Sequence, residues 1–284
     1  MRITAALAIG TLVLVPPAIQ AQAQVQAPRD ADGTPFFLRK AEAPAEALKA
    51  YQQQPYRPVR MAEVHSAGFL TEGQLFSFGS AVGASEPGRG AGQGSPAIVA
   101  LGSSFSVEAP EGDSYEVGDS LIIAVVAAGP KDWGDRVKPS AMVVVTGSEG
   151  RRADARIVAI YGTLRSGQAV YRAESIANPG EVKPVASPSG PAGSMIAARE
   201  IRELLVPTSH IYADLGQRDG IQVGDFVEVR RGASATDSAV TDLEAMATGQ
   251  VVHVSPNSST IKLMKVIAPQ ILPGAPVVRV ATLP

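Results

Sequence analysis

Val117-Gly118-Asp119-Ser120-Leu121-Ile122-Ile123 and Val223-Gly224-Asp225-Phe226-Val227-Glu228-Val229 make the same statement twice: a Val-Gly-Asp step leads into an apolar strand. Each unit closes on a second glycine turn and a short apolar run ending in arginine. The first closure is Ser166-Gly167-Gln168-Ala169-Val170-Tyr171-Arg172 and the second is Pro273-Gly274-Ala275-Pro276-Val277-Val278-Arg279. An internal repeat of this kind points to duplicated small β modules, which more often bind or build than catalyse. The Gly-Asp pair has a physical job that needs no ligand. Glycine takes positive φ without a Cβ penalty, and aspartate accepts hydrogen bonds from turn amides. Gly118, Asp119, Gly224 and Asp225 therefore read as structural turn residues rather than a metal or sugar site.

Outward from these turns, the chain alternates short apolar runs with Gly, Pro, Asn and Asp. Its 28 glycines and 22 prolines suit many strands joined by turns. A first β module spans 61–177, with a hairpin expected over 61–64 and 68–78 and a Gly-rich surface loop at 83–94. Strands are expected at 97–101, 105–109, 120–127, 141–146, 155–161 and 168–172, with Lys138-Pro139 preceding the fourth. The loop lacks the Lys and Ser/Thr of a phosphate loop. Residues 178–194 read as a linker, rich in Pro, Ser and Gly. A second module, 195–284, opens on a segment, 195–205, whose type stays open between helix and strand. Strands follow at 211–215, 226–230, 249–254, 260–266 and 276–280. Five or six short strands in about 80 residues are the mark of a small barrel. The fold expected is mainly β: tandem small β-barrel-like modules behind a flexible N-terminal lead.

That lead is preceded by an export signal. Met1-Arg2, the apolar stretch 3–19 and the small-x-small site Ala21-Gln22-Ala23 predict cleavage after residue 23. Residues 24–60 then form the lead, with a short helix expected at 44–51. The signal is interrupted by Pro16-Pro17, and no later segment reaches the roughly 20 apolar residues of a membrane span. The expected location is the periplasm or cell envelope, with no integral span after cleavage. The chain has no cysteine, which excludes disulfides, thiolate metal sites, a Cys nucleophile and an acylated Cys anchor. With 25 basic and 27 acidic residues and a net charge of −2, it offers no surplus for nucleic acid. The doublets Arg151-Arg152 and Arg230-Arg231 read as solvated turn residues.

No catalytic, cofactor or metal site is expected. No Gly-x-Ser-x-Gly elbow occurs. The three histidines, His65, His210 and His253, stand apart in sequence without metalloprotease spacing. His253, between Val252 and Val254, reads as an exposed strand position, and His210, after Ser209, as the end of a turn. Glu108, Glu111 and Asp113 are the carboxylates a glycan hydrolase would draw on. Trp133, in the polar run Lys131-Asp132-Trp133-Gly134-Asp135, is a candidate partner contact or a half-buried plug.

Tyr115-Glu116-Val117-Gly118-Asp119-Ser120-Leu121 resembles the opening of the lysin-motif (LysM) peptidoglycan-binding domain, though no glycan-binding residue is carried over from it; Tyr115 is a second candidate partner contact. The second module resembles the C-terminal β-barrel domain of flagellar assembly protein T over 214–231, 249–254, 258–260 and 271–278. That resemblance implies a periplasmic, non-enzymatic assembly module. More broadly, the chain is similar to exported bacterial envelope proteins with tandem β modules. The expected role is non-enzymatic binding or scaffolding through peptidoglycan or envelope proteins. The alternatives are a glycan-active hydrolase using a carboxylate pair and a subunit of a flagellar or secretion-type envelope complex. A hydrolase predicts a cleft with two facing carboxylates; a scaffold predicts barrels filled by side chains; an assembly subunit predicts an exposed apolar patch or a free strand edge.

Overall fold

The computed structural model describes residues 59–84, 100–175, 184–187, 190–200, 203–232 and 244–283. The expected signal 1–23, the lead through residue 58 with its 44–51 helix, and most of the Gly-rich loop 83–94 lie outside the described residues.

Two closed barrels account for nearly all of the described chain. In the first, β2 (Gly79–Ala84), β3 (Ser104–Glu108), β4 (Ser120–Ala128), β5 (Asp135–Glu149), β6 (Arg152–Ile160) and β7 (Ala169–Arg172) form the ring β5-β4-β7-β2-β3-β6, closed by β5 on β6. In the second, β9 (Ala192–Ala198), β10 (His210–Ala213), β11 (Phe226–Arg230), β12 (Ala245–Val254), β13 (Ser259–Val266) and β14 (Pro276–Thr282) form the ring β11-β12-β13-β10-β9-β14, closed by β11 on β14. Matched first strand to first, the rings have the same neighbours, all antiparallel. The repeat in the sequence is thus a repeat of a whole barrel topology. Closure also removes the free edges an open sheet would present.

Period-two alternation fills each barrel. On β6, Ala153, Ala155 and Ile157 point inward between exposed neighbours, and they meet Leu121, Ile123, Val143 and Val145 in one core. Ile211, Val227, Val229, Val251, Ile261 and Leu263 do the same in the second barrel. Each large aliphatic so buried contributes about 1.5–3 kcal/mol before entropy is counted.

Several local expectations change. Residues 61–64 do not open a hairpin: Met61–Ala67 is a helix, α1. Glu63 in its first turn accepts the Arg60 N–H at 3.1 Å, and the helix stops at Gly68, φ 73°. Seven residues are too few to hold helix in isolation, so α1 depends on its packing against β5, β12 and β13. The following β1 (Phe69–Leu70) pairs with β5, outside the barrel ring. Residues 59–78 thus form a strap rather than a hairpin. The fourth strand is longer than 141–146: β5 starts at Asp135 and carries Pro139 inside it, opposite Ala124 where the β4–β5 register shifts. A bulge is where a strand tolerates a residue without an N–H. Of the strand expected at 97–101, residues 100–101 are described, and they lie in a turn closed by the Ser103 N–H on the Ala100 carbonyl. Of the open segment 195–205, residues 195–198 belong to β9 and the remaining described residues, 199–200 and 203–205, are neither helix nor strand; the stretch 178–194 itself supplies β8 (Val185–Ala186), paired with β14.

Candidate functional site

The repeated turns are built bond for bond alike. Gly118 N–H donates to Val145 C=O at 2.9 Å, and Gly224 N–H to Val251 C=O at 2.8 Å. Asp119 accepts the Glu116 N–H at 3.0 Å; Asp225 accepts the Gln222 N–H at 3.1 Å. Both glycines have positive φ, 98° and 101°. The opening and closing motifs, far apart in sequence, lie side by side: Leu121 pairs with Arg172 and Val227 with Arg279. Each closing arginine comes within 3.5 Å of the aspartate of its own repeat. A third matched turn has no counterpart in the sequence reading. Ala100 N–H donates to Ser103 Oγ at 3.3 Å, and Val206 N–H to Ser209 Oγ at 3.1 Å. Setting the two Val-Gly-Asp steps in register and reading backwards would have found these serines.

The carboxylates near the first repeat face arginines, not one another. Glu108 pairs with Arg151 at 3.2 Å, and Asp113 with Arg172 at 2.8 Å. The hydrogen bond from Arg172 is the main reason the Asp113 carboxyl sits below its usual range. A general acid needs the opposite shift. Glu111 is exposed. Tyr115 is buried in the core of the first barrel, with the Arg172 guanidinium 5.4 Å from its ring centroid, so it is not presented to a partner. Trp133 is half-buried in the β4–β5 connection, where its C=O accepts the Glu72 N–H at 3.0 Å. The doublet Arg230-Arg231 divides: Arg230 is buried beside Glu228 at 2.9 Å, while Arg231 meets Glu244 on the surface.

The strap joins the barrels through polar contacts. The Glu72 carboxylate accepts from Asn257 N–H at 3.0 Å, Asn257 Nδ2 at 2.8 Å and Ser258 Oγ at 2.7 Å. Thr260 Oγ1 donates to Gly68 C=O at 2.7 Å, and Lys262 meets Glu63 at 2.5 Å. Arg199 caps the end of α1, donating to the Ser66 and Ala67 carbonyls at 2.6 and 3.0 Å, as suits a cation at a helix C-terminus. Phe69 stacks on His253 with ring centroids 5.0 Å apart and meets Tyr171 edge-on at 5.8 Å. His253 is therefore covered, not exposed. Alternation tells which side of the barrel wall a residue is on; here the strap closes over the outside. His210 opens β10 and is buried too.

Exposed aliphatic side chains collect elsewhere. Leu204 and Val206 in the β9–β10 connection and Ile267 and Leu272 in the β13–β14 connection are 44–63 % exposed. In an antiparallel ring both connections lie at the same end of the barrel. Leu205 N–H donates to Pro269 C=O at 2.9 Å and ties them together. Among the described residues, no group of three or more His, Cys, Asp or Glu is arranged to hold a metal ion, and no helix is long and apolar enough to cross a membrane. In comparison with known proteins, no family model and no curated protein matches this chain.

Proposed function

We propose that this protein is a non-enzymatic scaffolding component of the bacterial cell envelope, exported by its N-terminal signal and acting through contacts with an envelope protein assembly. The observation that carries this reading is the end of the second barrel where Leu204, Val206, Ile267 and Leu272 stand exposed together. Single exposed aliphatics need no explanation, whereas a group of them in two tied loops is what a protein contact uses. The barrels supply the rigid support: their interiors are filled by side chains, which leaves the loops as the surface free to vary. The arginine pairing of Glu108 and Asp113 argues against the hydrolase alternative. The resemblance of the second module to the barrel of flagellar assembly protein T points the same way. Peptidoglycan, suggested by the lysin-motif resemblance around Val117-Gly118-Asp119, is the competing partner.

The deciding experiment is co-sedimentation of the mature chain with purified cell-wall sacculi at two salt concentrations, run beside in-cell photocrosslinking from positions 204 and 272. Crosslinks to one envelope protein, with the chain left in the supernatant by sacculi, support the assembly reading. Retention on sacculi at the higher salt, with no crosslink from either position, overturns it in favour of peptidoglycan.

A further inference from the structure

The three histidines of the chain, far apart in sequence, converge on the strap. His65 lies on α1 and its Nε2 is 3.2 Å from the Glu174 carbonyl. His253 lies on β12 beneath Phe69, and His210 opens β10, beside the strand β13 on which α1 rests. Two of them share a feature that sequence does not reveal: the Nδ1 atoms of His210 and His253 are buried with no hydrogen-bond partner among the described residues. A neutral imidazole tolerates this, because its unprotonated nitrogen is an acceptor that can go unused at modest cost. An imidazolium carries N–H on both nitrogens, and the second would sit in a buried seam with no protein acceptor for it among the described residues.

We infer that the strap is an acid-released clamp: protonation of His210 and His253 opens the seam between residues 59–78 and the second barrel while both barrels stay folded.

The surrounding charges do not rescue the protonated forms. Around His210 stand Arg199 and Glu200 at the end of β9, Lys262 on β13 and Glu63 on α1, two cations and two anions that offset one another. Burial then decides, and it brings the His210 imidazole down to about 3. Around His253 stand Glu174, after β7, and Glu72, in the turn after β1; both favour the charged ring, yet burial outweighs them. Glu174 is 69 % exposed and 3.9 Å away, too solvated to hold an imidazolium in place. Glu72 is committed to Asn257 and Ser258. Lifting the strap frees both rings to water, where histidine titrates near 6.5. The sign follows. The closed seam binds fewer protons than the open one, so closure is favoured above about pH 6.5 and weakens as pH falls below it. Well below pH 6.5 each histidine that must charge costs about tenfold in the closure constant per pH unit, so both together give a few hundredfold between about pH 6.5 and 5.

The chain carries its own reporter. Trp133 is its single tryptophan, and its carbonyl is bonded to the strap at Glu72. Tryptophan fluorescence of the mature chain, followed from pH 8 to 4 beside far-UV circular dichroism, should show a fluorescence transition while the β signal is retained. In the His210→Gln/His253→Gln variant the transition should move by at least one pH unit to lower pH. Proton NMR of the unmodified chain needs no variant: with only three imidazoles, two should hold their neutral shifts below pH 6 and then change together with Trp133. The inference is overturned if the double variant keeps the wild-type midpoint. It is equally overturned if fluorescence and dichroism are lost in one step, or if all three imidazoles titrate near 6.5 while Trp133 is unchanged.

Discussion

The two barrels share a topology and differ in what covers the end where the Val-Gly-Asp turn sits. In the second barrel that end is closed. Leu283, from the segment after β14, lies over Gly224 so closely that a Cβ there would clash with its Cδ1. Glu72 of the strap grips Asn257 and Ser258 in the β12–β13 turn. Among the described residues the same end of the first barrel carries no such cover: Val117 is 68 % exposed, a Cβ on Gly118 would meet none of them within 4 Å, and the β5–β6 turn at Gly150 and Arg151 is exposed. The repeat therefore encodes the barrel, and the divergence between copies lies in the segments laid over it. Burial changes the work the same aspartate does. Asp119 keeps a side chain 29 % exposed beside Arg172, whereas Asp225 is fully buried beside Arg279.

The largest effect that would break this comparison comes from removing those aspartates. Asp225→Ala removes a fully buried carboxylate, strips the Gln222 N–H of its acceptor and leaves the mostly buried Arg279 without its counter-charge; the expected loss is about 3 kcal/mol. Asp119→Ala removes an equivalent bond at the surface, where water replaces it, and should cost about 1 kcal/mol or less. Urea midpoints of the two variants measure the gap. Equal shifts would mean that the cover over the second barrel contributes nothing.

Next in size are the glycines. Gly118→Ala pays only for placing a Cβ residue at positive φ, about 1 kcal/mol. Gly224→Ala adds the contact with Leu283 and should cost about 2 kcal/mol, since forcing extra volume into a packed site is itself unfavourable. Made in a Leu283→Ala background, Gly224→Ala should fall back to the cost of its counterpart. This double-mutant cycle isolates the tail from the turn.

The strap gives a smaller and more local effect. Glu72→Gln replaces a carboxylate that accepts from Asn257 and Ser258 with an amide able to satisfy only part of that set, for an expected cost of about 1 kcal/mol. The sign to look for is faster proteolytic cleavage within 59–78, with the unfolding midpoint of the second barrel nearly unchanged. Concerted loss of both would show that strap and barrel unfold as one unit.

What was legible in the sequence follows the same division. The turns at Gly118-Asp119 and Gly224-Asp225, the closing arginines and the strand alternation are local, so backbone rules alone reach them. The barrel interiors follow from period-two patterning of residues such as Ala153, Ala155 and Ile157. The covers were not legible. Met61-Ala-Glu-Val-His-Ser-Ala67 has no periodicity long enough to declare a helix, and α1 exists because β5, β12 and β13 receive it. His253 reads as exposed because alternation cannot tell that Phe69, remote in sequence, lies on it. Tyr115, a candidate partner contact from the sequence, is taken into the core beneath Arg172. Residue type predicts the barrel wall; only tertiary contact decides what is laid over it.

The smallest effect tests whether the bare end is inert. Asp113 is an exposed carboxylate whose titration is lowered chiefly by the hydrogen bond from Arg172, helped by the Ser114 N–H. A carboxyl depressed in the folded state contributes stability above its unfolded value, and that contribution is lost as pH falls through the folded one. Asp113→Asn should therefore leave the urea midpoint at pH 7 nearly where it was, because a solvent-screened pair adds little. The two proteins should converge as pH falls through the lowered folded value, where the wild-type carboxyl itself becomes neutral. A large loss at pH 7 would mean that Arg172, which also reaches Asp119 and the Ser114 carbonyl, depends on Asp113 for its position. The exposed turn of the first barrel would then be held as firmly by its surface ion pairs as the covered turn of the second is by burial.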